Sequence, residues 1–143
     1  MTDPTQELRG AIYTALSGNV RTVGGVVIPV YSFVSFEKDY PFIKIDPQVN
    51  SVPVLTKDSN NDIHEIDMSI SIIQGYNGNE GRMNDVEFPM TQIVAVLANN
   101  QLSMTNYNCL LSKPVSNVES HELIDTSEIL QKILTMKYTI EHK

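Results

Sequence analysis

Glu65-Ile66-Asp67-Met68-Ser69-Ile70-Ser71-Ile72 is the stretch that decides the fold. Apolar residues occupy every second position, so an extended backbone sends all four to one face. The pattern predicts a half-buried strand, with Ile66, Met68, Ile70 and Ile72 against a core and Glu65, Asp67, Ser69 and Ser71 in water. A large aliphatic side chain is worth about 2 kcal/mol only when something covers it, so this strand requires a sheet and an apolar layer above it.

The flanking segments supply both. Asp58-Ser59-Asn60-Asn61 is a turn signal, because Asp and Asn tolerate left-handed backbone positions. Before it, Phe42-Ile43-Lys44-Ile45 reads as a short strand, and residues 49–57 read as another, interrupted at Pro53. The β-branched run from Val23 to Tyr31 reads as a strand whose Pro29 marks an edge or a bulge. At the N-terminal end, Asp3 caps and Pro4 opens a helix whose apolar stripe is Leu8, Ile12, Ala15 and Leu16, with Gly18 as its left-handed stop.

On the other side, Gln74–Met83 holds Gly75, Asn77-Gly78, Asn79 and Gly81 and reads as a loop. Asn84 or Asp85 caps a second helix with the stripe Val86, Met90, Ile93, Val94 and Leu97, and Pro89 falls near its first turn. Residues 106–115, centred on Tyr107, Cys109 and Leu111, form a further strand region. Ser116–Glu128 is polar, acidic and weakly patterned, and reads as a projecting loop or a short extra element. Leu134, Met136, Tyr138 and Ile140 alternate with polar residues in a closing strand.

Helix, strands, helix, strands is the order of an α+β protein. The expected architecture is a mainly antiparallel sheet with two helices packed on one face and long loops projecting. At 143 residues the chain reads as one domain, 1–143, able to bury a core without staples.

Composition narrows the function classes. The lone Cys109 removes an intrachain disulfide framework and a multi-cysteine zinc site. No apolar run reaches the roughly 18 residues of a membrane helix, and no basic-then-apolar leader opens the sequence, so no membrane partner is expected. The net charge is −7, concentrated in two stretches. Asp58, Asp62, Glu65, Asp67, Glu80, Asp85 and Glu87 face only Arg82 within residues 58–87, and Glu119, Glu122, Asp125 and Glu128 crowd residues 119–128 without a base. Gripping a phosphate backbone takes Lys and Arg that displace counterions, which is the opposite balance.

The catalytic constellations are weak. Asp62, His64, Glu65 and Asp67 invite a metal reading, but alternation sends Asp62 and His64 to one face and Glu65 and Asp67 to the other. His121 and His142 lack partners at metal-ligand spacing. Gly75, Gly78 and Gly81 precede a helix, yet no Lys-Ser/Thr pair follows and Glu80, Asp85 and Glu87 would repel phosphate. Cys109 sits at strand spacing as a small buried hydrophobe. No cofactor, metal or enzymatic activity is therefore expected.

The element order and one local stretch resemble the phage tail-terminator (tail-completion) family. Tyr40-Pro41-Phe42-Ile43-Lys44-Ile45 matches a similar YPF(V/I)xI stretch of that family. The opening helix, the alternating strand 65–74, the Gly/Asn loop leading into a second helix and the closing strand match its pattern. The resemblance implies a virion ring at the head–tail junction, made in the host cytoplasm, that joins connector to tail and lets DNA pass without specific binding. Its implied partners are further copies in a homo-oligomeric ring and the neighbouring connector and tail proteins. Loops carry recognition on a rigid scaffold, so Tyr76, Asn77, Glu80 and Arg82 in one loop and Glu119, His121, Glu122 and Asp125 in the other are the candidate interface residues. An acidic lumen would keep the moving duplex from adhering. Two other readings stand beside this one: a small metal-dependent hydrolase using the Asp62/His64/Asp67 region, and a monomeric acidic adaptor that binds a protein partner.

Overall fold

A computed structural model describes residues 4–31, 41–51, 63–77, 84–98, 102–124 and 127–142. In chain order these form α1 (Pro4–Leu16), β1 (Val30–Tyr31), β2 (Phe42–Ser51), β3 (Ile63–Asn77), α2 (Asn84–Leu97), β4 (Tyr107–Ile124) and β5 (Ser127–His142). The strands make one sheet in the order β1-β2-β3-β5-β4. All pairings are antiparallel except the short parallel contact of β1 with β2. The fold is α+β, as the element order predicts.

β3 lies at the centre, between β2 and β5, and its alternation sets the layers. Ile66, Met68, Ile70 and Ile72 are fully buried. The register carries the same face across the sheet, through Ile43 and Ile45 on β2 and Leu134, Met136, Tyr138 and Ile140 on β5. Both helices cover this face, α1 over β1 and β2 and α2 over β3 and β5, with the helices also touching each other. Leu8, Ile12 and Leu16 of α1 and Val86, Met90, Ile93 and Leu97 of α2 close the core.

Side-chain caps fix the helices to the loops. The Glu7 carboxylate accepts the backbone N–H groups of Thr105 and Asn106, each at 2.9 Å, and the Asn106 side-chain amide at 3.2 Å. The Gln92 amide mimics a strand partner for Arg21, accepting its N–H at 3.0 Å and donating to its carbonyl at 2.9 Å. Ser112 donates to the Leu97 carbonyl at 3.1 Å, satisfying an acceptor that the end of α2 leaves open. Gly18 takes φ +78° just after α1, the left-handed stop expected of it. Pro89 lies deeper in α2 than a first-turn position, as its sixth residue, and is buried.

Four readings of the sequence need correction. Ser69 and Ser71 are only 3% and 4% exposed rather than wet. Their short side chains stand between Lys44 and Asp46 on β2 and Ile133 and Thr135 on β5, whose longer side chains overshadow them. The Val23–Tyr31 run is a strand only at Val30 and Tyr31. Gly25, at φ +87°, turns the chain so that Thr22 N–H meets the Val26 carbonyl at 2.8 Å and Arg21 bridges to Val27.

Strand also runs into the expected loop 74–83, of which residues 78–83 lie outside the described residues, and over most of 116–128, expected as a loop or a short extra element. β3 continues through Gln74 to Asn77, paired to β5 as far as Ser127. β4 continues from Tyr107 to Ile124 and pairs with β5 to make a long hairpin over most of residues 116–128. The weak period has a physical reason: residues 113–120 are exposed, so no core-facing side imposes alternation there. Residues 49–51 extend β2, whereas Pro53 and the 58–61 turn lie outside the described residues.

Among the described residues three side-chain polar atoms are buried without partners: Arg9 Nε, the Ser69 hydroxyl on the face away from the helices, and the Tyr138 hydroxyl in the core. Burial, with Cys109 adding to it, pushes the Tyr138 phenol well above its ordinary range. Burial likewise raises the thiol of Cys109. Both are inert core groups.

Two substitutions test this layering by chemical denaturation. Met68→Asp puts an unpaired charge in the core and is expected to cost about 3 kcal/mol or more, whereas Glu65→Gln on the other face should cost about 1 kcal/mol or less. Equal effects would mean that β3 is one residue out of register. Tyr138→Phe removes an unsatisfied buried hydroxyl and is expected to leave stability within about 1 kcal/mol of wild type or to raise it. A larger loss would show that the hydroxyl has a partner.

Candidate assembly surface

β4 closes the sheet on one side, and no described strand pairs with its outer edge. Its 18 residues span about 60 Å at strand rise. An edge this long presents a row of open backbone groups, and β4 carries the usual devices that blunt one: Lys113, Pro114 and two bulges. The bulges fall between Cys109 and Leu111 and between Pro114 and Ser116. They leave Leu110 and Val115 outside the ladder, 46% and 58% exposed, beside Leu111 and Val118 at 52% and 54%. Four large aliphatics on one edge strand mark a surface for contact.

This strip escaped the sequence reading, although a signal for it was there. Cys109-Leu110-Leu111 is a continuous apolar run that no two-residue alternation can bury on one side, so a bulge or an exposed apolar side chain is required.

Four of the expected interface residues come together at one end of the sheet, where Tyr76 and Asn77 of β3 and His121 and Glu122 of β4 flank residues 127–130 of β5. Tyr76 and Asn77 stand on β3 opposite Glu128 and Ser127, and His121 and Glu122 on β4 opposite Leu130 and Ile129, with the backbone alone described there. Glu80, Arg82 and Asp125 lie outside the described residues. Glu119 is exposed, and its carboxylate accepts from Lys132 Nζ at 2.8 Å. That hydrogen bond, then the lysine charge, holds the Glu119 carboxyl below the usual glutamate range. Lys132 itself is only 14% exposed and lines a cavity of about 320 Å³ with Glu87, Met90, Thr91, Val94 and Asn117, where α2 meets the β4–β5 hairpin.

The two acidic stretches meet at Glu87, which lines the same cavity as Lys132, the partner of Glu119, but Glu65 stands apart from Glu119. Glu65 is opposite Thr139 and Glu119 opposite Lys132, seven residues apart on β5 and about 23 Å along it. An odd separation also turns them to opposite faces of the sheet. Glu65 is moreover bridged by Lys137 at 3.7 Å. A single lumen wall therefore cannot gather both Glu65 and Glu119.

His64 packs edge-on against Tyr107, with ring centroids 6.2 Å apart, while Glu65 and Asp67 belong to the other face. Among the described residues no three of His, Cys, Asp or Glu come together as metal ligands. Asp62 lies outside them. No described helix is long and apolar enough to cross a membrane.

A second feature lies on the helix layer. An open groove of about 660 Å³ runs between α1, the end of α2 and the approach to β4. Glu7, Gly10, Ala11 and Thr14 form one wall, and Leu102 and Met104 stand on the other.

No protein-family model matches the chain, and no curated protein sequence matches it. Among solved structures, the fold is similar to that of a chain from the virion of a native gene transfer agent (GTA) particle. The TM-score is 0.72 at 12% sequence identity, over 97% of this chain and 99% of that one. At that identity the likeness is one of fold.

The Glu119–Lys132 pair is testable by titration. The Glu119 carboxyl, followed by NMR, is expected to titrate below an ordinary glutamate, and Lys132→Gln should return it toward the ordinary value. Because its folded-state pKa is lowered, its stabilising contribution is present at neutral pH and is lost as the pH falls through that midpoint. An unchanged titration in Lys132→Gln would show that the contact does not form in solution.

Proposed function

We propose that this chain is a structural virion protein that forms a ring at the head–tail junction, joins connector to tail and lets DNA pass. One observation carries the reading: the fold match to a chain of a GTA virion runs nearly end to end on both chains, at a TM-score of 0.72. The Tyr40–Ile45 stretch, with its resemblance to the tail-terminator family, refines it from virion protein to ring subunit.

The surface is consistent with that role. A ring subunit needs two different patches, one to give and one to receive, because head-to-tail contacts join unlike surfaces. The apolar β4 edge and the groove beside α1 are two such patches. A net charge of −7 suits a protein past which DNA moves without adhering. Since Glu65 and Glu119 lie on opposite faces, the wall nearest the DNA takes its charge from only one of those two carboxylates. The chain would fold in the host cytoplasm and reside in the finished particle, with connector and tail proteins on its two sides.

Electron microscopy of the concentrated purified protein tests this. Closed rings of a single subunit number are expected, with no measurable binding to duplex DNA at physiological salt. A two-fold dimer, a monomer at every concentration, or DNA binding that falls steeply with added salt would contradict the proposal.

A further inference from the structure

Three features of the described surface bear on what this chain contacts. Gly10 sits in the middle of α1 and is exposed, where glycine is less favourable than alanine because it loses more backbone freedom on folding. Its φ is not in the left-handed region, and a Cβ built on it meets nothing within 4 Å. Neither backbone nor packing among the described residues requires a glycine there, whereas close approach of something from outside would.

Lys113 is the second. It stands directly across the ladder from Lys137, and like charges at opposed positions destabilise a pair. Lys137 has Glu65 at 3.7 Å, while Lys113 has no ion pair among the described residues. The third is the cluster Leu110, Leu111 and Val115 on either side of Lys113, exposed because two bulges lift residues out of the ladder.

Gly10 opens onto the groove of about 660 Å³, together with Ala11, Thr14, Leu102 and Met104. At its rim stands Glu7, whose three hydrogen bonds all come from neutral donors, so its negative charge has no cation against it in those contacts. An apolar groove with an acid at its rim complements an apolar strand segment with a lysine in its middle.

We propose that the groove beside α1 receives the Leu110–Val115 segment of β4 from a second copy of this chain, with Lys113 of that copy set against Glu7. The contact joins unlike surfaces, so repeating it adds copies head to tail and leaves a free edge at one end and a free groove at the other until the ring closes. Bulged β4 then acts through side chains seated in a groove rather than by adding a strand to another sheet. The inference rests on the ring reading above and names the surfaces that would build the ring.

Two variants and a cross-link test it. Gly10→Leu fills the groove without touching the fold, so its melting temperature is expected to equal or exceed that of wild type while self-association weakens at least about tenfold. Lys113→Glu is expected to weaken association comparably, with unchanged melting. In a Cys109→Ala background, Gly10→Cys and Val115→Cys proteins should form a disulfide-linked pair when mixed under oxidation, and neither should do so alone. If rings form yet Gly10→Leu assembles like wild type and the mixture does not cross-link, this contact is wrong and the ring reading stands. Val115→Cys pairing with itself would indicate a two-fold β4 contact, and a chain that never self-associates would show none. Either outcome overturns both.

Discussion

One apolar row on β3 constrains everything else. Ile66, Met68, Ile70 and Ile72 leave water together or not at all, because their spacing gives them a single face. Two amphipathic helices are available to cover that face, and they cover β1, β2, β3 and β5. β4, furthest out, receives the core at Tyr107 and Cys109 and then runs on, exposed from residue 113 to 120. The open edge is thus a consequence of how much sheet two helices of 13 and 14 residues can shelter.

The same constraint explains which parts were legible in the sequence. Wherever a segment has one dry side, its period is plain: α1 from Pro4 to Leu16 matches its apolar stripe residue for residue, and β3 and the end of β5 match theirs. Where both sides are wet, as over residues 116–120, the period weakens, so that stretch of strand reads as a loop or a short extra element. Ser69 and Ser71 show a subtler failure. Alternation fixes the face a side chain takes, but its exposure there depends on the length of its cross-strand neighbours, which pairing alone reveals.

For the candidate site, charge drew attention to the two acidic stretches, yet apolar residues define the surface. Glu65 and Glu119 each have a lysine partner within the chain and lie on opposite faces. Leu110, Leu111, Val115 and Val118 have no such internal role among the described residues, and neither has Gly10. Features that the fold leaves unexplained are where selection for contact is to be sought, since an exposed aliphatic edge on a free monomer invites aggregation. Lys113, Pro114 and the two bulges discourage indiscriminate strand addition, while the bulged side chains leave room for a specific fit.

The central claim is that this subunit assembles through the β4 edge and the α1 groove. Amide hydrogen exchange, compared between dilute subunit and assembled protein, tests it most directly. Protection should rise around residues 10–15 and 110–118, the two halves of one contact, and change little along the β3–β5 ladder that is already paired. Assembly that protects neither segment, or that protects 110–118 while leaving 10–15 as exposed as in the free subunit, would contradict the account.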